Sequence, residues 1–175
     1  LAQSAPGADG LVMLPFFNGE RTPDLPNARG CLHGMDLHNT TPAHLYRAAM
    51  EGATYSLRNG YDAFTSAGLR FDTVLLTGGG SNSAAWRQLV ADILDLPVKV
   101  PVQAEGAAFG AALQALWAVG REQGGPDSLA DVVDAHVRFD DALAATPDPD
   151  AVPLYAAHYR RFLTHLSAIS PLYGG

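Results

Sequence analysis

The chain has 175 residues, enough for one domain, and 47% of them are hydrophobic, which allows a sizeable core. Eighteen acidic against 11 basic side chains leave a formal charge of −7, and this excludes the basic face that general nucleic-acid binding needs. The lone Cys31 excludes an internal disulfide and a cysteine-based metal site and fits a reducing cytoplasm; no apolar run reaches the roughly 20 residues of a membrane span.

Residues 1–10 read as linker. The chain opens on Leu1 rather than Met, and Gln3, Ser4, Pro6 and Gly7 follow, so the expectation is an N-terminus cut inside a longer protein. Leu11 to Phe17 is a short apolar strand that Pro15 confines to an edge or a break. Asn18, Gly19, Pro23, Pro26, Asn27 and Gly30 make residues 18–30 a loop, and a second short strand is expected over 31–36. A long helix is predicted from Pro42 to about Ala67, capped by Thr41 and ended by Gly68. Tyr46, Met50, Ala53, Leu57, Tyr61 and Phe64 recur at helical spacing and are expected to form its inner face.

Residues 72–77 form the clearest strand, with an uninterrupted apolar centre suited to burial on both faces. Gly78, Gly79 and Gly80 follow, then a helix from about Ser83 to Asp95 with Trp86, Leu89, Val90, Ile93 and Leu94 inward. Val98 to Val100 reads as a strand and 106–119 as an Ala-rich helix. Ala107, Ala111 and Ala115 are expected to let that helix approach another element closely, with Gly110 aiding the packing. A short helix is expected near 128–134. The last, from about Val152 to Ile169, turns Tyr155, His158, Phe162, Leu166 and Ile169 inward. Strands thus alternate with helices, and the fold class is α/β with a layered sheet.

The stretch LLTGGGSNSAAW, residues 75–86, is the most informative local feature. Glycines without Cβ atoms let a ligand lie against the backbone. The helix start offers free N–H groups to an anion or a polar edge, at the strand end where open α/β sheets bind ligands. A tight strand-to-helix turn capped by Ser81 or Ser83 is the competing structural reading. No Gly-Lys-Ser/Thr closes a P-loop, and Ser83 stands where a dinucleotide fingerprint has its third glycine. An acidic chain still accepts a phosphate ligand, because local N–H groups and Mg²⁺ neutralise it. The six histidines, at 33, 38, 44, 136, 158 and 165, show no metal spacing. Cys31 reads as a small core residue.

Three ordered segments resemble the FGGY family of carbohydrate kinases. GERTPDLPNARG, residues 19–30, is similar to a loop of the xylulokinase branch. Gly30, Leu32, Gly34 and Met35, then His44, Leu45, Ala48, Ala49, Met50 and Glu51, match the family's C-terminal signature. LLTGGGSNSAAWRQLVADILDLPVKVP with EGAAFGAALQA is similar to its adenosine-binding region. The resemblance is strong over residues 11–120 and weak beyond.

The resemblance implies an actin-like, ribonuclease H-like ATPase domain, with a central mixed sheet flanked by helices over residues 11–175. It would be the C-terminal, nucleotide-binding domain of a two-domain sugar kinase. The N-terminal sugar domain, which holds the catalytic aspartate, has no counterpart here, so no catalytic residue is expected in this chain. ATP with Mg²⁺ is the implied cofactor pair, and a sugar, D-xylulose above all, the implied acceptor. Gluconate, ribulose or glycerol, or a non-catalytic actin-like module, remain as alternatives. The implied partner is the N-terminal domain, with a homodimer through exposed apolar surface as another outcome. Nucleic acid and membrane are not expected, and the implied location is the cytoplasm.

By the same resemblance Gly79 and Ser83 match positions that contact adenosine, and Gly78 and Gly80 let the turn approach it. Ser83 departs from the amide side chain found there in the relative compared. Glu105 and Gly106 open the flanking helix, where Glu105 equally suits a charge at a helix N-terminus. Arg21 and Thr22 are expected near the cleft; Arg21 either faces phosphate or fixes its loop through Glu20 or Asp24. Glu51 either bonds a backbone turn near the nucleotide or lies on the helix surface.

Overall fold

A computed structural model describes residues 1, 3–103, 105–125 and 128–173. Val12–Leu14 (β1) and Cys31–His33 (β2) pair antiparallel, with Val12 opposite His33 and Leu14 opposite Cys31. Val74–Leu75 (β3) and Val98–Lys99 (β4) pair parallel. The expected mixed sheet is therefore present as two separate two-stranded ladders. The helices are α1 (Pro42–Ser66), α2 (Ala84–Leu94), α3 (Gly106–Glu122), α4 (Leu129–His136) and α5 (Ala151–Ile169). Among the described residues no helix is long and apolar enough to cross a membrane.

The start of α1 follows from its first residues. Thr41 is extended and its hydroxyl accepts the His44 N–H at 3.4 Å, while Pro42 takes the first helical position, where a missing N–H costs nothing. Gly68 turns the chain out at φ +90°. The face of α1 that packs is not the one its apolar spacing picks out. Tyr46, Leu57 and Phe64 are 55%, 52% and 57% exposed, and of the expected six only Met50 is fully buried. The helix instead buries Ala48, Glu51, Gly52, Thr54 and Tyr55. Small residues decide this, because a Cβ on Gly52 would stand 2.3 Å from the Met13 carbonyl oxygen, so only glycine lets β1 come so close.

The main core joins Leu14 and Phe16 to Met50 and Tyr55 of α1, Leu89 and Ile93 of α2, and Tyr155, Tyr159, Phe162 and Leu166 of α5. Phe162 is fully buried, with its ring centroid 5.5 Å from that of Tyr55. Tyr159 keeps its hydroxyl satisfied by donating to Asp62 at 2.7 Å, and the Arg58 guanidinium lies 4.7 Å above its ring. A second core of Val90, Ala91, Leu94 and Val98 sits under β3 and β4, and Trp86 packs against both cores.

Two further expectations are corrected. The stretch 1–10, read as linker, is packed where it is described: Arg47 donates to the Leu1 carbonyl (2.6 Å) and to Ser4 Oγ (2.9 Å), and Ala8 is fully buried. On α3, Ala107, Ala111 and Ala115 are exposed, and only Leu113 is buried, on the side toward α4. A Cβ on Gly110 would meet nothing within 4 Å, so this glycine is not there for helix packing among the described residues.

Candidate functional site

β3 is shorter and less covered than its apolar run predicts, with Leu75 53% exposed, because only β4 lies alongside it. From its end Gly78 turns the chain at φ +78°, ψ −172°, a conformation that side chains avoid. Gly79–Asn82 then form one 3₁₀ turn. The Ser81 and Ser83 amides donate to the Gly78 and Gly80 carbonyls, each at 3.1 Å, and Ser81 Oγ donates to the Gly78 carbonyl at 2.7 Å. Ser83 caps α2 by accepting the Trp86 N–H at 3.2 Å, so the structural half of its reading is realised.

The turn is open on its Cβ side. A Cβ built on Gly78 or Gly79 would meet no atom of the described residues beyond its chain neighbours within 4 Å, whereas one on Gly80 would lie 3.8 Å from the Trp86 ring. Beside the turn, the Cβ position of Gly106 lies 3.6 Å from Thr77, so α3 begins next to the end of β3. Two helix N-termini, those of α2 and α3, thus flank the same exposed backbone, and each offers partial positive charge. Glu105 precedes α3 without a side-chain cap hydrogen bond.

Arg21 and Thr22, the residues expected near a cleft, sit on a loop held by Glu20 and Asn59. The Glu20 carboxylate accepts the Arg21 and Thr22 amides at 2.7 and 3.2 Å, and Asn59 ties the Thr22 carbonyl to α1 at 3.1 Å. Glu20 fixes this loop through the backbone. The Arg21 guanidinium is exposed and forms no ion pair among the described residues, so it does not hold the loop through Glu20 or Asp24. Thr22 lines an apolar cavity of about 450 Å³ with Leu57, Tyr61, Phe64, Phe71 and Val74.

Several buried polar groups were not legible beforehand. Glu51 is 2% exposed, which overturns its helix-surface reading; it accepts the Gly7 amide at 3.0 Å and Arg47 at 3.3 Å. Burial raises its carboxyl above the ordinary range, opposed by those two donors. Arg47 also donates to the Tyr155 hydroxyl at 3.2 Å, and burial pushes that phenol up to about 12. Asp92 accepts Gln88 at 2.8 Å and the Asp148 amide at 2.9 Å, and burial raises it as well. Arg87 is 7% exposed and donates to the Ser81 carbonyl at 2.7 Å. The i, i+4 spacing of Arg47 and Glu51 was the one sequence signal for such a pair.

Among the described residues no group of three or more His, Cys, Asp or Glu side chains converges on a metal position. His44 instead bonds Asp9 at 2.9 Å, and the rings of His33 and His165 lie tilted at 40° with centroids 4.1 Å apart. Cys31 is a half-buried thiol packed against the main core.

A mixed α/β body with an open glycine turn at the end of a parallel strand defines the class as an α/β domain. The model of the "FGGY family of carbohydrate kinases, C-terminal domain" matches residues 1–119. The chain is 43% identical over 170 residues to the xylulose kinase of Haemophilus influenzae, covering 97% of this chain and 34% of that protein. The crystal structure of xylulose kinase from Rhodospirillum rubrum superposes with a TM-score of 0.82 at 32% identity, over 98% of this chain and 33% of that one. The ligand-bound xylulose kinase from Lactobacillus acidophilus gives a TM-score of 0.87 at 24% identity, over 99% and 34%, and supports the fold. The chain belongs to the FGGY family of carbohydrate kinases and has its actin-like ATPase fold. It spans about a third of the length of the first relative, 34%.

Proposed function

We propose that this chain is the nucleotide-binding domain of a sugar kinase that moves the γ-phosphoryl of ATP to a hydroxyl of D-xylulose, giving D-xylulose 5-phosphate. The likeness to xylulose kinases along 97% of the chain supports the sugar assignment. The observation that carries the site is the empty space beside Gly78 and Gly79, in a turn flanked by two helix starts. Adenosine would rest on that backbone. Ser83 already spends its hydroxyl on the α2 cap, so its contact with the nucleoside is secondary to that of Gly79.

Mg²⁺, held through the nucleotide phosphates, would supply neutralising charge on the transferred group. This chain orients ATP and keeps the base side of the site in place. The catalytic aspartate and the sugar contacts belong to an N-terminal domain that the longer relatives carry, and closure against it would exclude water. Arg21 and Thr22 would lie on a loop that faces that partner. Exposed Leu57, Phe64 and Leu75 make association with that domain, or between two copies, the expected state. A reducing cytoplasm suits the free Cys31.

Calorimetric titration of ATP into the 175-residue chain, repeated with Gly79→Leu, tests the site. Binding by the parent and loss of at least about tenfold in the variant are expected, the order of effect of an occluded backbone contact. Equal binding would remove the turn from the site. The chain alone is expected to show no ATP-dependent xylulose phosphorylation; measurable turnover would refute the division of labour.

A further inference from the structure

Arg87 is the one feature of the glycine turn that neither the cap nor the nucleotide reading requires. Its side chain is buried, 7% exposed, and the ion pairs among the described residues, Asp9 with His44 and Arg47 with Glu51, do not include it. A buried guanidinium without a carboxylate is costly, and an apolar side chain of the same length would fill the space more cheaply. It also sits in the first turn of α2, at the positive end of the helix, where a cation is disfavoured. Its side-chain hydrogen bond runs to the Ser81 carbonyl at 2.7 Å.

That carbonyl is the middle of the 3₁₀ turn. Ser81 is 4% exposed and is held at three points: its amide and hydroxyl both reach the Gly78 carbonyl, and its own carbonyl is held by Arg87. On their Cβ side Gly78 and Gly79 meet no described residue within 4 Å other than their chain neighbours, so packing there does not hold them. Three consecutive glycines left alone would sample many conformations, and ordering them on ligand binding would cost affinity. We propose that Arg87 is the positioning residue of the nucleotide turn: it pins the Ser81 carbonyl, so that Gly78 and Gly79 are held open before the nucleotide arrives. The inference rests on the reading of this turn as the adenosine site.

Hydrogen exchange of the free chain reads the turn with no nucleotide present. Arg87→Met is expected to speed exchange at the Ser81 and Ser83 amides by about tenfold or more, the scale of one lost hydrogen bond to a charged group. Arg87→Lys, which keeps a charged donor, is expected to restore most of that protection. ATP titrated into the same proteins, at a temperature where circular dichroism shows all of them folded, is expected to bind about tenfold more weakly to Arg87→Met and close to normally to Arg87→Lys. A role confined to global stability would shift the melting temperature and leave both readouts of the folded protein unchanged. Parent-like exchange and affinity in Arg87→Met would overturn the inference. Should that variant not fold, Arg87→Gln carries the same two measurements. If Gly79→Leu binds ATP as the parent does, the site reading fails instead, and exchange alone then decides whether Arg87 holds the turn.

Discussion

Gly52 of α1 and Gly34 just after β2 share a residue type with the glycines after β3 but sit in the opposite setting. At Gly52 and Gly34 a Cβ would stand 2.3 Å and 2.4 Å from the backbone oxygens of Met13 and Gly10. Those two residues are glycine because the protein itself occupies the space. At Gly78 and Gly79 a Cβ would meet no described residue within 4 Å beyond the chain neighbours. Packing explains the first pair and the backbone turn at φ +78° explains Gly78, but neither explains Gly79, which is the reason to place a ligand there.

The sharpest way to break the comparison is at the packed end. Glu51→Ala removes the carboxylate from buried Arg47 and from the Gly7 amide, and should cost about 3–5 kcal/mol, as loss of one partner of a buried pair does. Gly52→Ala should cost about 1–3 kcal/mol through overpacking against Met13. Denaturant unfolding measures both. A cost near zero for Gly52→Ala would mean that α1 does not lie on β1 as described.

At the open end the expected effect on stability is the smallest. Gly79 is not in the left-handed region and its side-chain space is free, so Gly79→Ala should change stability by less than about 0.5 kcal/mol. The same variant is expected to weaken ATP binding, and Gly79→Leu to weaken it more. A large stability loss in Gly79→Ala would move this glycine into the packed class.

The body also carries a pH dependence that the turn does not. His158 is held below the ordinary imidazole value by burial and then by Arg161, and His165 by burial, then His33 and Arg161. The native chain therefore binds fewer protons than the unfolded chain at these sites. Their contribution is complete above the unfolded value near 6.5 and is lost as pH falls through the lower folded values. Glu51, raised by burial, acts in the opposite sense, losing stability as pH rises from its unfolded value of 4.5. Melting temperatures of the parent and His158→Gln at pH 7.5 and about 5.5 separate the two, since Glu51 is common to both. The drop on acidification should be smaller in the variant; an equal drop would remove His158 from the account.

Local chemistry made much of the fold legible. Thr41, Pro42 and Gly68 set the limits of α1, and the apolar runs around Leu14 and Val74 located β1 and β3. Of the inward set of α2, Leu89, Val90, Ile93 and Leu94 are buried as its spacing indicates, and Trp86 is half-buried. What spacing does not resolve is which of two apolar faces packs when small residues compete with large ones. Tyr46, Leu57 and Phe64 therefore point out of α1 while Gly52 and Ala48 point in. The same ambiguity misplaced the alanine face of α3. The glycine turn was visible as three residues without side chains, but its hold on Ser81 was not, because Arg87 lies six residues on and reads as a helix-surface charge. The docking of residues 1–10 was hidden for a related reason: Arg47 looks solvent-facing until its partners, Leu1, Ser4, Glu51 and Tyr155, are brought together by the fold.

The most direct test is a crystal structure of this chain bound to a non-hydrolysable ATP analogue. The account predicts the adenosine lying on the main chain of Gly78 and Gly79, with the Ser81 carbonyl still held by Arg87. Adenosine bound elsewhere, with another protein segment filling the space beside those two glycines, would contradict it.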